Sequence, residues 1–188
     1  MKNLFVVLEG LSAVGKTTLA QELVKCIPNA IYYKTPPKLY SGIRDLVDKT
    51  HTPKSRFFFY LAGLVYASEE IATLLKKHSV ICDRYLITTL CYHKAIGFDG
   101  TNYVCDLVKP DYTFLVTCEN KTRISRLTTR GLTFNDKKER KGNVEKLFLN
   151  ELIAQNLITV DNTGELDQAI KQITQILDFT HEKIPVHS

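Results

Sequence analysis

The sequence predicts an α/β fold in which helices cover both faces of a parallel β-sheet. Two observations point to it. Short apolar runs alternate with longer helical segments along the chain, the pattern of strands buried on both faces. The first such run also leads directly into a glycine-rich turn and a helix, the order in which a phosphate-binding loop is built. The 188 residues suit one domain with a full-sized core. That domain is expected over 1–180, with 181–188 as a flexible tail.

The elements follow in order. Asn3 to Leu8 reads as a buried strand. Lys16 to Ile27 reads as a helix, with Leu19, Leu23 and Ile27 on one face. Pro28-Asn29 ends it, and Ala30 to Tyr33 is a second strand. After Thr35-Pro36-Pro37 come a helix near Tyr40 to Asp48 and a longer one from Pro53 to Lys77, with proline at its first turn. Ser79 to Cys82 is strand three, and Arg84 to Ile96 is helical up to Gly97. Tyr112 to Cys118 is strand four, and Asn120 to Thr129 a helix. The polar, basic stretch from Gly131 to Gly142 reads as irregular. Asn143 to Gln155 is a helix, Leu157 to Val160 strand five, and Leu166 to Phe179 the last helix.

Composition narrows the partners. Apolar residues are 44% and charged residues 24%, and the net charge of +5 suits a small anionic substrate better than a nucleic-acid groove. The opening apolar run stops at Leu8 and no stretch reads as long enough to span a membrane, so neither nucleic acid nor membrane is expected as a partner. Five widely spaced cysteines without a CxxC pair suit free thiols in a reducing, cytoplasmic setting.

Gly10-Leu11-Ser12-Ala13-Val14-Gly15-Lys16-Thr17 matches GxxxxGK followed by Ser or Thr without mismatch. Its backbone N–H groups and the following helix N-terminus suit phosphate oxygens. ATP and Mg²⁺ are the expected cofactors. Gly10, Ser12, Ala13, Val14, Gly15, Lys16, Thr17 and Thr18 hold the nucleotide, with Lys16 on its phosphates and Thr17 on the metal. A GTPase would carry NKxD where this chain has Asn120-Lys121 and then Arg123. It would also carry DxxG where Asp83-Arg84-Tyr85-Leu86 stands. A motor ATPase usually has an acid after the strand-three aspartate, and here that neighbour is Arg84. A small-molecule kinase fits better. Asp83 ends a central strand beside the loop and can meet Mg²⁺ or the acceptor. Arg123, Arg126 and Arg130, followed by Lys137, Lys138, Arg140 and Lys141, form a candidate basic lid, centred on about 130–142. Arg126 and Arg130 share a helical face and suit the transferring phosphoryl group.

These residues resemble the thymidylate kinase-like nucleoside and nucleotide kinases over roughly Leu4 to Leu177. FVVLEGLSAVGKTTLAQEL is similar to that family's opening strand and loop. VICDRYLITTLCY, Val80 to Tyr92, is similar to its DR-aromatic segment and following helix. Lys109 to Leu115 resembles its KPD strand, RLTTRG the start of its lid, and Val160 to Thr163 its last strand turn. The resemblance implies a P-loop NTPase fold with a five-stranded sheet in the order 2-3-1-4-5. It implies ATP-dependent phosphoryl transfer to a nucleoside or nucleoside monophosphate by a homodimer, for which the Phe57 to Val65 face is a candidate that reads equally well as core. It assigns Asp83 and Arg84 to the acceptor site, Tyr60 to stacking on the base, Thr89 to the base and Tyr92 to the sugar.

Three departures bear on the acceptor. Lys34-Thr35-Pro36 stands where thymidylate kinases usually show Arg-Glu-Pro, so Lys34 meets a phosphate as a point charge and the carboxylate is missing. Leu64 stands where an arginine would read the base, and Ser12 where the loop often carries an acid near the sugar. A monophosphate acceptor is already ionised and needs no strong base, so the missing acid favours a nucleotide acceptor, received by Lys34, Arg84 and Arg44. The other readings are a nucleoside kinase, a kinase of a non-nucleotide metabolite, and a nucleotide-binding module with little turnover. His93, next to Tyr92, receives no role.

Overall fold

In the computed structural model, which describes residues 2–50 and 52–177, five parallel strands form one sheet. The strands are β1 (Phe5–Glu9), β2 (Ala30–Lys34), β3 (Ser79–Asp83), β4 (Tyr112–Thr117) and β5 (Ile158–Asp161). Their order is β2-β3-β1-β4-β5, as the resemblance implied. The tail expected over 181–188 lies outside the described residues.

The sheet is parallel, with each strand joined to the next in sequence by a helical crossover. The helices are α1 (Lys16–Cys26), α2 (Ser41–Thr50), α3 (Pro53–Leu74), α4 (Leu86–Ala95), α5 (Asn120–Arg130), α6 (Phe134–Glu139), α7 (Val144–Ile153) and α8 (Leu166–Ile176). One apolar cluster joins Leu8, Ile81 and Phe114 to Leu19, Leu23, Phe148, Leu152 and Ile173. The other joins Phe5, Val7, Val80 and Cys82 to Leu64, Ala67 and Ile71 of α3. Together they fill the two faces of the sheet, so β1 and β3 are buried at every residue.

By length and composition α3 is able to cross a bilayer, contrary to the expectation that no segment is. Here its apolar side is a core face, with Phe57, Leu61, Leu64, Ala67 and Ile71 buried against the sheet and α4. Phe57 and Leu64 are therefore core, while Phe58 is 39% exposed.

Two local departures from the sequence reading matter for the site. The stretch read as irregular contains α6, started by a capping box in which Thr133 accepts from the Asp136 N–H and the Asp136 carboxylate accepts from the Thr133 N–H. Helix α4 starts at Leu86 and not at Arg84, because Arg84 adopts φ +70°. Glu9, buried at the end of β1, caps α4 from across the sheet: one of its oxygens accepts from the N–H groups of Tyr85 and Thr88 at 3.0 and 3.2 Å.

Candidate active site

All chemistry-bearing segments meet at the carboxyl ends of β1, β2 and β3. The phosphate loop begins there at Gly10. Gly10 and Gly15 sit at φ +143° and +94°. A Cβ on Gly10 would lie 2.4 Å from the Val116 carbonyl oxygen, and one on Gly15 would lie 2.3 Å from Asn162 Nδ2. Only glycine lets the backbone pass at either point. Ser12, Ala13, Gly15, Lys16, Thr17 and Thr18 line a cleft of about 960 Å³. Val14 turns its side chain into the core instead. Its carbonyl accepts from Arg126 at 3.2 Å and from Asn162 at 2.8 Å.

Lys16 is buried, and its ammonium donates to the Gly10 and Leu11 carbonyls at 3.0 and 2.6 Å. Burial brings its pKa down to about 7; Arg84 adds to that pull, and Asp83, Glu139 and Glu9 oppose it. The Thr17 hydroxyl donates to Asp83 Oδ2 at 2.5 Å, and Lys34 Nζ stands 3.4 Å from the same oxygen. Register explains the second contact, since β2 pairs Lys34 with Asp83. Burial pushes the Asp83 carboxyl up, but Lys16, Arg84, the Thr17 hydroxyl and Lys34 outweigh it and hold it below its usual value. Two hard oxygen donors, an alcohol and an ionised carboxylate, thus sit together at the mouth of the loop, a donor set that fits Mg²⁺. Among the described residues no cluster of three His, Cys, Asp or Glu side chains supplies a metal site, so further ligands would have to be phosphate and water.

Arg84 is the pivot. Its left-handed backbone is a strained choice for a side chain of this size, worth of order 1–3 kcal/mol. Contacts hold it there. Its N–H donates to the Leu8 carbonyl at 3.0 Å, its carbonyl accepts from the Thr35 hydroxyl at 3.0 Å, and its Nη1 donates to Gly10 O at 2.9 Å and Thr88 Oγ1 at 3.1 Å. Thr35, which replaces an expected acid, therefore fixes the turn that aims Arg84.

Behind Arg84 lies a second, smaller cavity of about 110 Å³. Tyr60, Thr89 and Tyr92 line it, and so do Arg44 and Arg84. Ser12, Thr35, Arg44, Arg84 and Asn135 border both cavities, so the two meet along this seam. Tyr60 Oη donates to Asp48 Oδ1 at 2.9 Å and accepts from Arg44 Nε at 3.0 Å. Burial is the main reason its phenol is pushed up to about 12. Leu64 does not join this wall. It is 2% exposed and packed with Phe5, Val7 and Val80, because it faces the sheet one turn beyond Tyr60.

The lid is divided in its contacts. Arg126 and Arg130 both reach the large cleft, four residues apart on α5. Arg126 also donates to the Asn162 carbonyl at 2.9 Å, and Arg130 pairs with Asp136 at 2.7 Å. Arg123 is not part of the lid: it is buried against Glu145 and Ser12 O beneath the loop. Helix α6 borders the smaller cavity through Asn135 and Glu139. Asn135 donates to Asp48 Oδ2 at 2.7 Å and Lys138 to the Asp48 carbonyl at 2.9 Å. The buried Glu139 accepts from the Ser12 N–H and hydroxyl at 3.0 and 2.8 Å. An acid thus stands at the middle of the loop, supplied from α6.

Arg56, Asp48, Asn135, Glu139 and Asn162 were not singled out from sequence. Arg56 and Asp48 lie in helical segments where charges usually face solvent, and only three-dimensional packing pairs them, at 2.9 Å. The one available signal was the Thr133-x-x-Asp136 capping box, which marks α6 and so the register of Asn135 and Glu139.

A family model described as thymidylate kinase matches residues 8–173. A probable thymidylate kinase of Methanocaldococcus jannaschii is 30% identical over 169 residues, covering 86% of this chain and 88% of that protein. The thymidylate kinase of Mycoplasma pneumoniae is 25% identical over 202 residues, covering 94% and 96%. Among solved structures, the thymidylate kinase of Candida albicans superposes with a TM-score of 0.74 at 19% identity, covering 94% of this chain and 92% of that one.

Proposed function

This chain belongs to the thymidylate kinase family, and from that premise we propose that it transfers the γ-phosphoryl group of ATP to a nucleoside monophosphate. One observation carries the reading. Two cavities, a large one beside the phosphate loop and a smaller, aromatic-walled one, meet at a seam that Arg44 and Arg84 border on both sides. A donor triphosphate in the first and an acceptor in the second would bring their phosphates together at that seam.

The roles follow from the geometry. Lys16 and the loop N–H groups bind the donor phosphates. Thr17 and Asp83 are placed to hold Mg²⁺, which would neutralise donor charge when bound. Arg84, Arg44 and Lys34 receive the acceptor phosphate, whose oxygen is ionised at neutral pH and attacks without a general base. Arg126 and Arg130 border the donor side, where charge spreads in the transition state. Residues 1–180 act as one kinase domain in this reading. The cytoplasmic setting belongs to the proposal too and rests on the free thiols, of which Cys82 and Cys91 are buried, Cys118 half-buried and Cys26 and Cys105 exposed. So does a homodimer, for which Phe58 and Ala62 are the exposed members of the expected face.

The test is ADP release with ATP, Mg²⁺ and a panel of nucleosides, nucleoside monophosphates and unrelated alcohols. Release that requires a monophosphate, and that Lys16→Ala lowers by about 10³-fold or more, supports the reading. Tight ATP binding with no acceptor-dependent release contradicts it.

A further inference from the structure

We propose that Thr88 is a positioning residue for the phosphoryl transfer. Its hydroxyl, oriented by the buried carboxylate of Glu9, holds Arg84 with one edge of its guanidinium turned to the acceptor phosphate. The inference rests on the reading of Arg84 as a group that receives that phosphate. It adds the two residues that aim it.

The observation is how the donors of Arg84 are divided. Its Nη1 carries two hydrogens, and it donates to the Gly10 carbonyl at 2.9 Å and to Thr88 Oγ1 at 3.1 Å. Both hydrogens are therefore committed. Among the described residues, Arg84 Nε and Nη2 donate to no protein group, and the side chain borders both cavities. Nε–H and the neighbouring Nη2–H form the side of a guanidinium that matches two oxygens of one phosphate. An unanchored arginine samples many rotamers, and two bonds on Nη1 remove that freedom before a ligand arrives.

The Thr88 hydroxyl can serve only because its own hydrogen is placed elsewhere. A hydroxyl has one hydrogen and two lone pairs. Thr88 donates that hydrogen to Glu9 Oε2, so it turns a lone pair to Arg84. Glu9 is itself fixed. It has no solvent exposure, and its Oε1 accepts from the N–H groups of Tyr85 and Thr88 at 3.0 and 3.2 Å. Burial pushes its carboxyl above the usual value, while the Thr88 hydroxyl, the Arg84 charge and those two N–H groups pull the other way and favour the ionised acceptor. The relay thus ends in a carboxylate whose charge also favours the guanidinium.

Both anchors of Nη1 trace to one place. The Gly10 carbonyl is the first residue of the phosphate loop, and Glu9 is the residue before it. Arg84 is therefore referenced to the loop that holds the donor. An acceptor phosphate seated on it inherits that reference, which is what in-line transfer between two separate cavities requires. A purely structural role for Thr88, as part of the first turn of α4, would disturb both substrates alike.

The experiment measures kcat and KM for ATP and for the nucleoside monophosphate turned over best, in the natural chain and in Thr88→Val, Thr88→Ser, Glu9→Gln and Arg84→Met. Thr88→Val keeps the side-chain shape and removes the hydroxyl. It should lower kcat/KM for the monophosphate about tenfold, mainly through that KM, and leave KM for ATP within about twofold. Thr88→Ser keeps the hydroxyl and should stay within about threefold of the natural chain. Glu9→Gln still accepts both N–H groups but sets an NH₂ against the Thr88 hydroxyl and removes the charge. It should lower the same kcat/KM about fivefold or more, again with KM for ATP unchanged. In the Arg84→Met background, Thr88→Val should cost nothing further, because the group it aims is gone.

A natural kcat/KM in folded Thr88→Val or Glu9→Gln contradicts the proposal. So does an equal rise in both KM values, or the same tenfold loss in the Arg84→Met background. Should Thr88→Val fail to fold, the two KM values of Glu9→Gln decide. Absence of turnover with every monophosphate overturns the kinase reading and this proposal with it, whereas turnover that Thr88→Val leaves intact overturns the proposal alone.

Discussion

At the scale of single residues, the site is a set of charges held out of water by one another. Asp83 stays ionised because Lys16, Arg84, Thr17 and Lys34 surround it, and Lys16 is partly stabilised by the same carboxylate. Asp83→Asn removes the counter-charge of three cations. It should lower kcat by about 10²–10³-fold and raise the Mg²⁺ concentration for half-maximal rate, read in the ADP-release assay. His93 makes a pH prediction. Its folded pKa of about 4 lies below the unfolded value of 6.5, so the unfolded chain takes up a proton first as pH falls. The stability it contributes is complete above pH 6.5 and is lost as pH falls towards 4, by about 3 kcal/mol at most. Denaturant titrations from pH 7 to 4 should show a shallower loss in His93→Gln than in the natural chain. Equal slopes would show that the ring is not held neutral.

At the scale of elements, two long-range carboxylates organise the site. Glu9 caps α4 from β1, and no residue near α4 in sequence does so. Glu9→Ala leaves the Tyr85 and Thr88 N–H groups and the Thr88 O–H without their acceptor, so it should cost about 2 kcal/mol or more, a Tm loss of roughly 4–8 °C by calorimetry. Glu139 fastens α6 to the phosphate loop, as Asn135 and Lys138 fasten it to Asp48. Glu139→Ala should loosen α6, seen as faster hydrogen exchange over 134–139 and a higher acceptor KM, about tenfold if one such contact is worth 1.4 kcal/mol. Unchanged exchange there would mean that the latch is not needed. Strands and long helices were legible because burial on both faces and a period near four are written into adjacent residues. Helix α6 was missed because lysines and arginines masked it, although Thr133 and Asp136 announced its start. Arg84 was placed in the wrong element because its left-handed turn is imposed by Thr35, Leu8 and Gly10, all distant in sequence.

At the scale of the whole molecule, the sheet order brings the loop after β1, Lys34 of β2 and Asp83 of β3 to one edge, and α6 then covers the acceptor side. The donor half was readable because GxxxxGKT packs its function into eight consecutive residues. The acceptor half was not, because Arg56, Asp48 and Asn135 are recruited from α3, α2 and α6 and become a site only when those helices pack. Leu64 illustrates the limit: alignment by motif put the base reader there, and packing puts it in the core. The central claim is phosphoryl transfer between the two cavities. Its most direct test is to follow ³¹P signals in mixtures of the protein, ATP, Mg²⁺ and each nucleoside monophosphate in turn. The account predicts ADP and nucleoside diphosphate appearing in equal amounts, with no diphosphate formed by Lys16→Ala. Inorganic phosphate released at the same rate with and without the acceptor, and no nucleoside diphosphate formed from it, would contradict the account.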